Sequence, residues 1–231
     1  MKILAIDTAT LSCSVALVDD DHLLAETTLV NEQTHSKHIM VLIQQVLDMS
    51  GVSVSDVDGF AATHGPGTFT GLRIGMSTVK GLAEAGDKPV AGVSSLAALA
   101  WQADPSLLIC PLIDARRNEV YFAHYRFEDG KLKEVTPEAV GSVDEAIRKI
   151  CSPCCFIGSG TSLYDDFIRE QIGGLAVFAH GFQNTIRAST VAHLSRERLT
   201  DYDHVRDRDR FLPRYLRQSD AEIHLTKKLV T

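Results

Sequence analysis

The sequence predicts an α/β chain of two lobes, each built on the order strand, strand, strand, helix, strand, helix, strand, helix (βββαβαβα). Three observations carry that expectation. Strand-like patterns come in threes with turn-length connections, once at the start of the chain and again near its middle. Each trio is followed by helical and strand patterns in alternation. In each half a glycine-rich turn joins a strand to a helix, from Gly65 to Gly71 in the first and at Gly158-Ser159-Gly160 in the second.

The elements follow in order. Met1 to Asp7 is an apolar strand, and Ser12 to Val18 is the next. Asp19-Asp20-Asp21 turns the chain into a third strand, Leu23 to Val30. Thr34 opens a helix that runs to about Met49 and stops at Gly51. Val57 to Thr63 is a strand, Phe69 to Glu84 a helix and Pro89 to Val93 a short strand. Ser94 or Ser95 caps a helix through about Gln102. The second copy begins with the strand Leu107 to Ile113. Glu119 to Phe127 alternates strongly, turns at Glu128-Asp129-Gly130 and returns as Lys131 to Val135. Ser142 caps a helix over Val143 to Ile150, followed by a strand at Cys154 to Ile157 and a helix at Leu163 to Ile172. A short strand, Leu175 to Phe178, and a last helix, Thr185 to about Leu199, complete the copy. The expected division is a first lobe over 1–104, a second over 105–200, and a charged connector and tail over 201–231, with Arg196 to Arg210 solvated. This order, used twice, is the layout of the actin-like ATPase fold, which holds a nucleotide between its lobes.

Bulk properties fit that size and class. The chain has 231 residues, 45% hydrophobic and 23% charged, enough for a substantial core. A net charge of −7 offers no broad basic footprint for nucleic acid. No apolar run approaches the roughly 20 residues that span a bilayer, and Asp7 interrupts an N-terminal apolar stretch too short for a signal peptide. Five cysteines, an odd number, suit reduced thiols. The expectation is a cytoplasmic protein with no membrane partner.

The run His64-Gly65-Pro66-Gly67-Thr68-Phe69-Thr70-Gly71 reads as a tight turn with exposed backbone amides, capped by Thr68, a geometry that cradles anions. It matches neither the dinucleotide fingerprint nor the P-loop. The turn after the first strand, Asp7 to Leu11, has no glycine, and Gly158-Ser159-Gly160 is the better cradle. Two readings stay open: weak ATP or ADP binding through Asp7, Gly65, Gly67, Gly158 and Gly160, or turns and caps that only fold the chain. Asp7, Asp114 and Glu119 are acids at strand ends, each equally a lobe-facing acid, a turn residue or a buried acceptor. His35 and His38 share a helix start but lack a third ligand, and read as exposed histidines rather than a metal site. Cys151, Cys154 and Cys155 close a helix instead of opening one, so they read as structural thiols.

Two first-lobe helices are more apolar than one buried face requires. In the helix from Phe69, polar residues occupy one narrow stripe, and Gly67, Gly71 and Gly75 recur every four residues. The excess predicts a second buried side, under the other lobe or against a partner. An open two-lobed fold leaves these helices outside, which favours a partner. The expected interface comprises Ile39, Met40, Ile43, Val46, Gly71, Leu72, Gly75, Met76 and Val79.

LAIDTAT at the start, THSKH before an apolar helix, HGPGTFTGLRIG, IDARRNEVYFAHY from Ile113 to Tyr125, and Pro213-Arg214-Tyr215-Leu216-Arg217 together resemble the bacterial TsaB (YeaZ) family over nearly the whole chain. The resemblance implies a role in tRNA modification. Proteins of this kind support TsaD, a paralogue of the same fold. With the ATPase TsaE, TsaD transfers threonylcarbamoyl from its adenylate to an adenosine beside the anticodon. TsaD follows a related glycine tract with a metal-binding His-x-x-x-His. By offset, Ser95 and Leu99 occupy those places here, and leucine cannot ligate a metal. The implied protein is a non-catalytic subunit without a cofactor. It docks TsaD, meets TsaE and tRNA through the complex, and self-associates as a homodimer when alone. Two enzyme readings stand against it: an actin-like ATPase or phosphotransferase using Asp7 and the glycine turns, and, further off, a metallopeptidase. The tail after Asp220 shows no pattern.

Overall fold

The computed structural model describes residues 1–31, 35–201 and 210–217. Two mixed sheets of five strands carry the duplication. The first contains β1 (Lys2–Asp7), β2 (Ser12–Asp19), β3 (His22–Val30), β4 (Gly59–Gly65) and β5 (Val90–Ser94), in the order β3-β2-β1-β4-β5. The second contains β6 (Leu108–Arg116), β7 (Glu119–Glu128), β8 (Lys131–Gly141), β9 (Cys154–Ile157) and β10 (Ala176–Phe178), in the order β10-β9-β6-β7-β8. In each sheet the first three strands form an antiparallel meander and the last two run parallel to the first. The short turns and the helical crossovers dictate that split. The helices are α1 (Ile39–Ser50), α2 (Phe69–Gly86), α3 (Ser95–Trp101), α4 (Val143–Ile147), α5 (Thr161–Ile172) and α6 (Ala188–Thr200).

Local chemistry sets most boundaries. Gly51 ends α1 in a left-handed conformation. Thr68 accepts from the Gly71 N–H at the start of α2, and Ser94 from the Ala97 N–H at the start of α3. Ser142 and Glu145 form a reciprocal capping box on α4. Several expected ends shift. Thr34 lies outside the described residues, and α1 begins only at Ile39, after a single tight turn over His35–Lys37. Strand β8 runs on to Gly141 because its pairing with β7 continues through Val120 and Gly141.

The two sides of each sheet are assigned by strand alternation. Leu4, Ile6, Val15, Leu17 and Phe60 face outward onto α1 and α2. Ile3, Ala5, Ala16, Val18 and Ala61 face inward, into a core that also takes α3, α6 and the inner face of the second sheet. Cys110, Leu112, Phe122 and Phe156 face the opposite way onto α4 and α5. The third helix of each copy is exchanged: α6 packs on the first sheet and α3 on the second. The 105–200 segment is therefore a copy of elements, while its last helix belongs by packing to the first lobe. First-lobe groups receive the start of α6. Ser14 Oγ accepts from the Ala188 N–H at 3.0 Å, and Glu26 accepts from the Ser189 N–H at 2.9 Å and its hydroxyl at 2.8 Å while pairing with Arg187. The charged segment expected to be solvated begins inside α6, where Arg196 pairs with Asp20 and Asp21. Phe211 is buried in the outer first-lobe core, so residues 210–217 dock rather than trail. The tail after Asp220 lies outside the described residues.

The glycines of α2 face its own chain. A β-carbon on Gly71 would run into the Thr8 carbonyl oxygen, and one on Gly75 into Thr8 Oγ1. The Thr8 hydroxyl closes the contact by donating to the Gly71 carbonyl at 2.8 Å. Gly71→Ala should therefore cost about 2 kcal/mol or more in urea unfolding, as overpacking against fixed backbone does. Gly81→Ala, in the same helix but facing open space, should be neutral or gain about 0.5 kcal/mol. Equal effects at the two positions would refute this packing role.

Candidate functional site

Asp7 ends β1 and is fully buried. Its Oδ1 accepts from the Thr63 hydroxyl at 2.7 Å and the Ala9 N–H at 3.1 Å, while Oδ2 has no partner among the described residues. Burial pushes this carboxyl up to about 7 against the hydrogen bonds that favour its charge. Of the three readings open to it, the structure shows the buried acceptor; the acid does not face the space between the lobes.

The expected anion cradles are filled by the protein itself. The Gly158 N–H donates to Asn184 Oδ1 and the Gly160 N–H to the Leu112 carbonyl, both at 2.9 Å. A β-carbon at Gly65 would meet the Arg214 carbonyl, and one at Gly67 the Ala9 carbonyl. These glycines let backbone approach backbone. The Arg214 N–H donates to the His64 carbonyl at 2.7 Å, so the C-terminal segment lies along the glycine turn.

What these segments enclose is a cleft of about 350 Å³ between the lobes. Its walls are the start of α2 (Gly67 to Thr70), the β6–β7 hairpin (Asp114 to Arg117, with Tyr121), and Arg214 to Arg217. Three of the motifs that mark the sequence thus meet at one place. The hairpin holds Arg116, Arg117 and Asn118 in succession at φ of 60°, 55° and 60°. Left-handed backbone at residues other than glycine costs on the order of 1 kcal/mol each. Asp114 lines the cleft and braces the turn, its Oδ1 accepting from the Arg116 N–H at 2.8 Å. Arg214 reaches buried Glu138 at 3.1 Å, and Arg217 reaches Glu119 at 3.1 Å and the Ala115 carbonyl at 3.0 Å. Tyr215 stacks on Phe69 with ring centroids 4.4 Å apart and accepts from Arg73 Nε at 3.1 Å. The arginines and Tyr215 were legible as motif residues, but their convergence was not. Arginines recurring at two motifs of an acidic chain are the signal that could have suggested it.

The other expected residues fall elsewhere. Ser95 and Leu99 are fully buried in the central core, and Ser95 Oγ has no partner among the described residues. His35 Nε2 lies 2.8 Å from the Thr10 carbonyl and is half-buried, correcting its reading as exposed. Among the described residues no three His, Cys, Asp or Glu side chains are grouped to hold a metal. Cys154 and Cys155 are buried, with their thiols pushed up by burial, and Cys151 is exposed. Of the nine residues expected at a partner surface, Ile39, Ile43, Val46, Leu72, Met76 and Val79 are core residues of the monomer. Gly71 and Gly75 are buried against Thr8, and Met40 alone of the nine faces out, 55% exposed. The apolar excess is consumed because α2 packs on the Thr8 turn and shares one core with α1 and the sheet.

Asp7 and His64 give stability an opposed pH dependence. Between pH 4 and 7 the unfolded Asp7 carboxyl ionises while the folded one holds its proton, so this contribution falls as pH rises. His64 is pushed down to about 4 by burial, with Arg198 and Arg214 adding to the shift, so its contribution falls as pH drops from 6.5 to 4. The two offset one another in the wild-type chain. Asp7→Asn should gain up to about 4 kcal/mol relative to wild type between pH 4 and 7, and should itself lose stability below pH 6.5. Urea titrations at pH 4, 5.5, 7 and 8 test this; a pH-independent difference would refute it.

The chain is similar to known proteins in sequence and in fold. The sequence model of the TsaD family, tRNA N6-adenosine threonylcarbamoyltransferase, matches residues 22–225. The tRNA threonylcarbamoyladenosine biosynthesis protein TsaB of Bacillus subtilis (strain 168) is 33% identical over 226 residues, 96% of this chain and 96% of the relative. The crystal structure of a Pseudomonas aeruginosa protein described as similar to the peptidase YeaZ has a TM-score of 0.79 at 30% identity, over 94% of this chain and 99% of that one. Component A of the (R)-2-hydroxyglutaryl-CoA dehydratase of Acidaminococcus fermentans has a TM-score of 0.52 at 12% identity, over 87% of this chain and 99% of that one. That last likeness concerns the fold alone, the actin-like ATPase fold expected from the duplicated element order. By its match over 96% of both chains, the chain belongs to the TsaB (YeaZ) family.

Proposed function

We propose that this chain is an accessory subunit in the formation of threonylcarbamoyladenosine in tRNA, binding and supporting the catalytic subunit TsaD together with TsaE. The observation that carries the reading is the match to TsaB over 96% of both chains. Non-catalysis is supported by Ser95 and Leu99, which by offset from the glycine tract fall where the resemblance places TsaD's metal-binding histidines, and which are sealed in the core. The protein works in the cytoplasm, meets tRNA through the complex, and pairs with itself when TsaD is absent.

Docking uses the outward side of the α1–α2 layer. Met40, Val41 and Met49 on α1 are 55%, 55% and 65% exposed. On α2, Gly81 and Ala85 are exposed, with Ile74 and Leu82 half-buried beside them. Gly81 has open space where a β-carbon would stand, room for a partner helix to approach closely. These residues replace the buried ones as the contact set.

Met40→Glu combined with Gly81→Arg alters only outward positions, so the monomer should keep its melting temperature. On size exclusion the variant should no longer co-elute with TsaD, and a reconstituted system should lose at least about 90% of tRNA product, equivalent to about 1.4 kcal/mol. Full co-elution would overturn the docking face. Product formed by the isolated chain from threonylcarbamoyl-adenylate and tRNA would overturn the non-catalytic role.

A further inference from the structure

We propose that a groove between α6 and the turn joining β7 to β8 binds a small zwitterion with an aromatic ring, of the class of the aromatic amino acids. The ring lies on Trp101 and His193, the carboxylate faces the lysines of the hairpin, and the ammonium faces the last turn of α6. The groove shares no lining residue with the cleft at the start of α2 and lies apart from the α1–α2 layer.

The groove has a volume of about 860 Å³, within the size range of small-molecule sites. Its floor is aromatic and apolar. Trp101, the one tryptophan of the chain, ends α3 half-buried and lines the groove with Leu132 and Leu194. The indole ring centroid lies 5.1 Å from that of Phe127 and 4.4 Å from that of His193. Phe127 packs against the central core and so fixes the indole, while His193 stands exposed on α6. Among the described residues neither the indole N–H nor the His193 ring has a hydrogen-bond partner. A rigid aromatic surface with an unused polar handle is what a planar ligand stacks on.

The two walls carry opposite charge. Lys131 and Lys133 line the hairpin side, and Glu197 and Asp201 line the helix side. Asp201 directly follows α6, where the last carbonyls of a 13-residue helix add partial negative charge. Arg196 also lines the groove, but its guanidinium is engaged by Asp20 and Asp21. Lys131 and Glu197 pair at 3.8 Å across the groove with side chains 72% and 90% exposed, a contact that water and ligand open readily. Lys133 makes no ion pair among the described residues. A polyanion would be opposed by Glu197 and Asp201, and a purely apolar ligand would leave both walls unused. A flat ring carrying one charge of each sign complements all three surfaces. The walls belong to different sheets, since α6 packs on the first and the hairpin is part of the second. A bound molecule therefore spans both halves of the chain.

The full chain is titrated with phenylalanine, which does not emit where indole does, so that Trp101 fluorescence reports binding. Trp101 emission should shift with a Kd of about 1 mM or tighter, and at tenfold Kd the melting temperature should rise by about 3–6 °C. Alanine, without the ring, should bind about tenfold more weakly or worse. Phenethylamine, without the carboxylate, and hydrocinnamate, without the ammonium, should each bind about threefold more weakly or worse. Lys133→Ala should lower affinity for phenylalanine and leave that for phenethylamine unchanged; Asp201→Asn should do the same with respect to hydrocinnamate. His193→Ala should weaken every ring-bearing probe. All three positions are exposed, so the variants should melt with the wild-type chain. No change in emission or melting with phenylalanine at about 10 mM, binding of any of the three analogues as tight as that of phenylalanine, or wild-type binding by His193→Ala overturns the proposal.

Discussion

The close approach of α2 to the turn after β1 governs the rest of the first lobe. Thr8 and Ala9 occupy the space where β-carbons at Gly67, Gly71 and Gly75 would stand. The Thr8 hydroxyl and the Ala9 carbonyl then bond the helix and its N-cap, at 2.8 Å each. Such a contact has one register, because every alternative places a side chain against backbone. It sets α2 deep against β1, so a helix with an unusually wide apolar arc can bury most of it inside the monomer. It also brings the first turn of α2 to the mouth of the cleft. The residues that first suggested an anion cradle are the reason that the α2 terminus stands where it does.

The exchange of α3 and α6 is the second constraint. Gln102, just past α3, donates to the Gln183 and Thr185 carbonyls and accepts from the Arg187 N–H. Its backbone belongs to the first copy and its partners to the second. Glu26 and Ser14 hold the start of α6 from the other direction. The two sheets thus share one buried core, with α3 and α6 between them. Residues 210–217 then fasten the rim: Phe211 is buried in the first lobe, while Arg214 and Arg217 pair with Glu138 and Glu119 of the second.

The sequence made strands and helix caps legible because those signals are local. Thr68, Ser94, Ser142 and Gly51 do what their chemistry predicts. Duplication was legible because both copies repeat the same order. The partner of a buried face was not legible. Gly71 and Gly75 signalled close approach, but only coordinates say that Thr8, rather than another chain, is the neighbour. Likewise Asp7 could be placed at a strand end, while its enclosure by Thr63 and Ala9 depends on residues that are distant in sequence or set by the turn. Arg116 and Arg214 stand about a hundred residues apart, and no periodicity links them; the resemblance flagged both motifs without showing that they meet.

Burial separates the two kinds of site this fold can carry. A catalytic acid or metal ligand must reach substrate, and Asp7 and Ser95 are enclosed where desolvation opposes any charge. An accessible polar surface rich in arginine lines the cleft, on the hairpin and the C-terminal segment. On the outside of the first lobe, α1 exposes the apolar side chains of Met40, Val41 and Met49. Gly81 sits 12 residues beyond Phe69, about 18 Å along a helix. That distance separates the exposed flank of α2 from the end that lines the cleft. The same glycines that made the helix look like a groove for a partner fix it instead against its own chain.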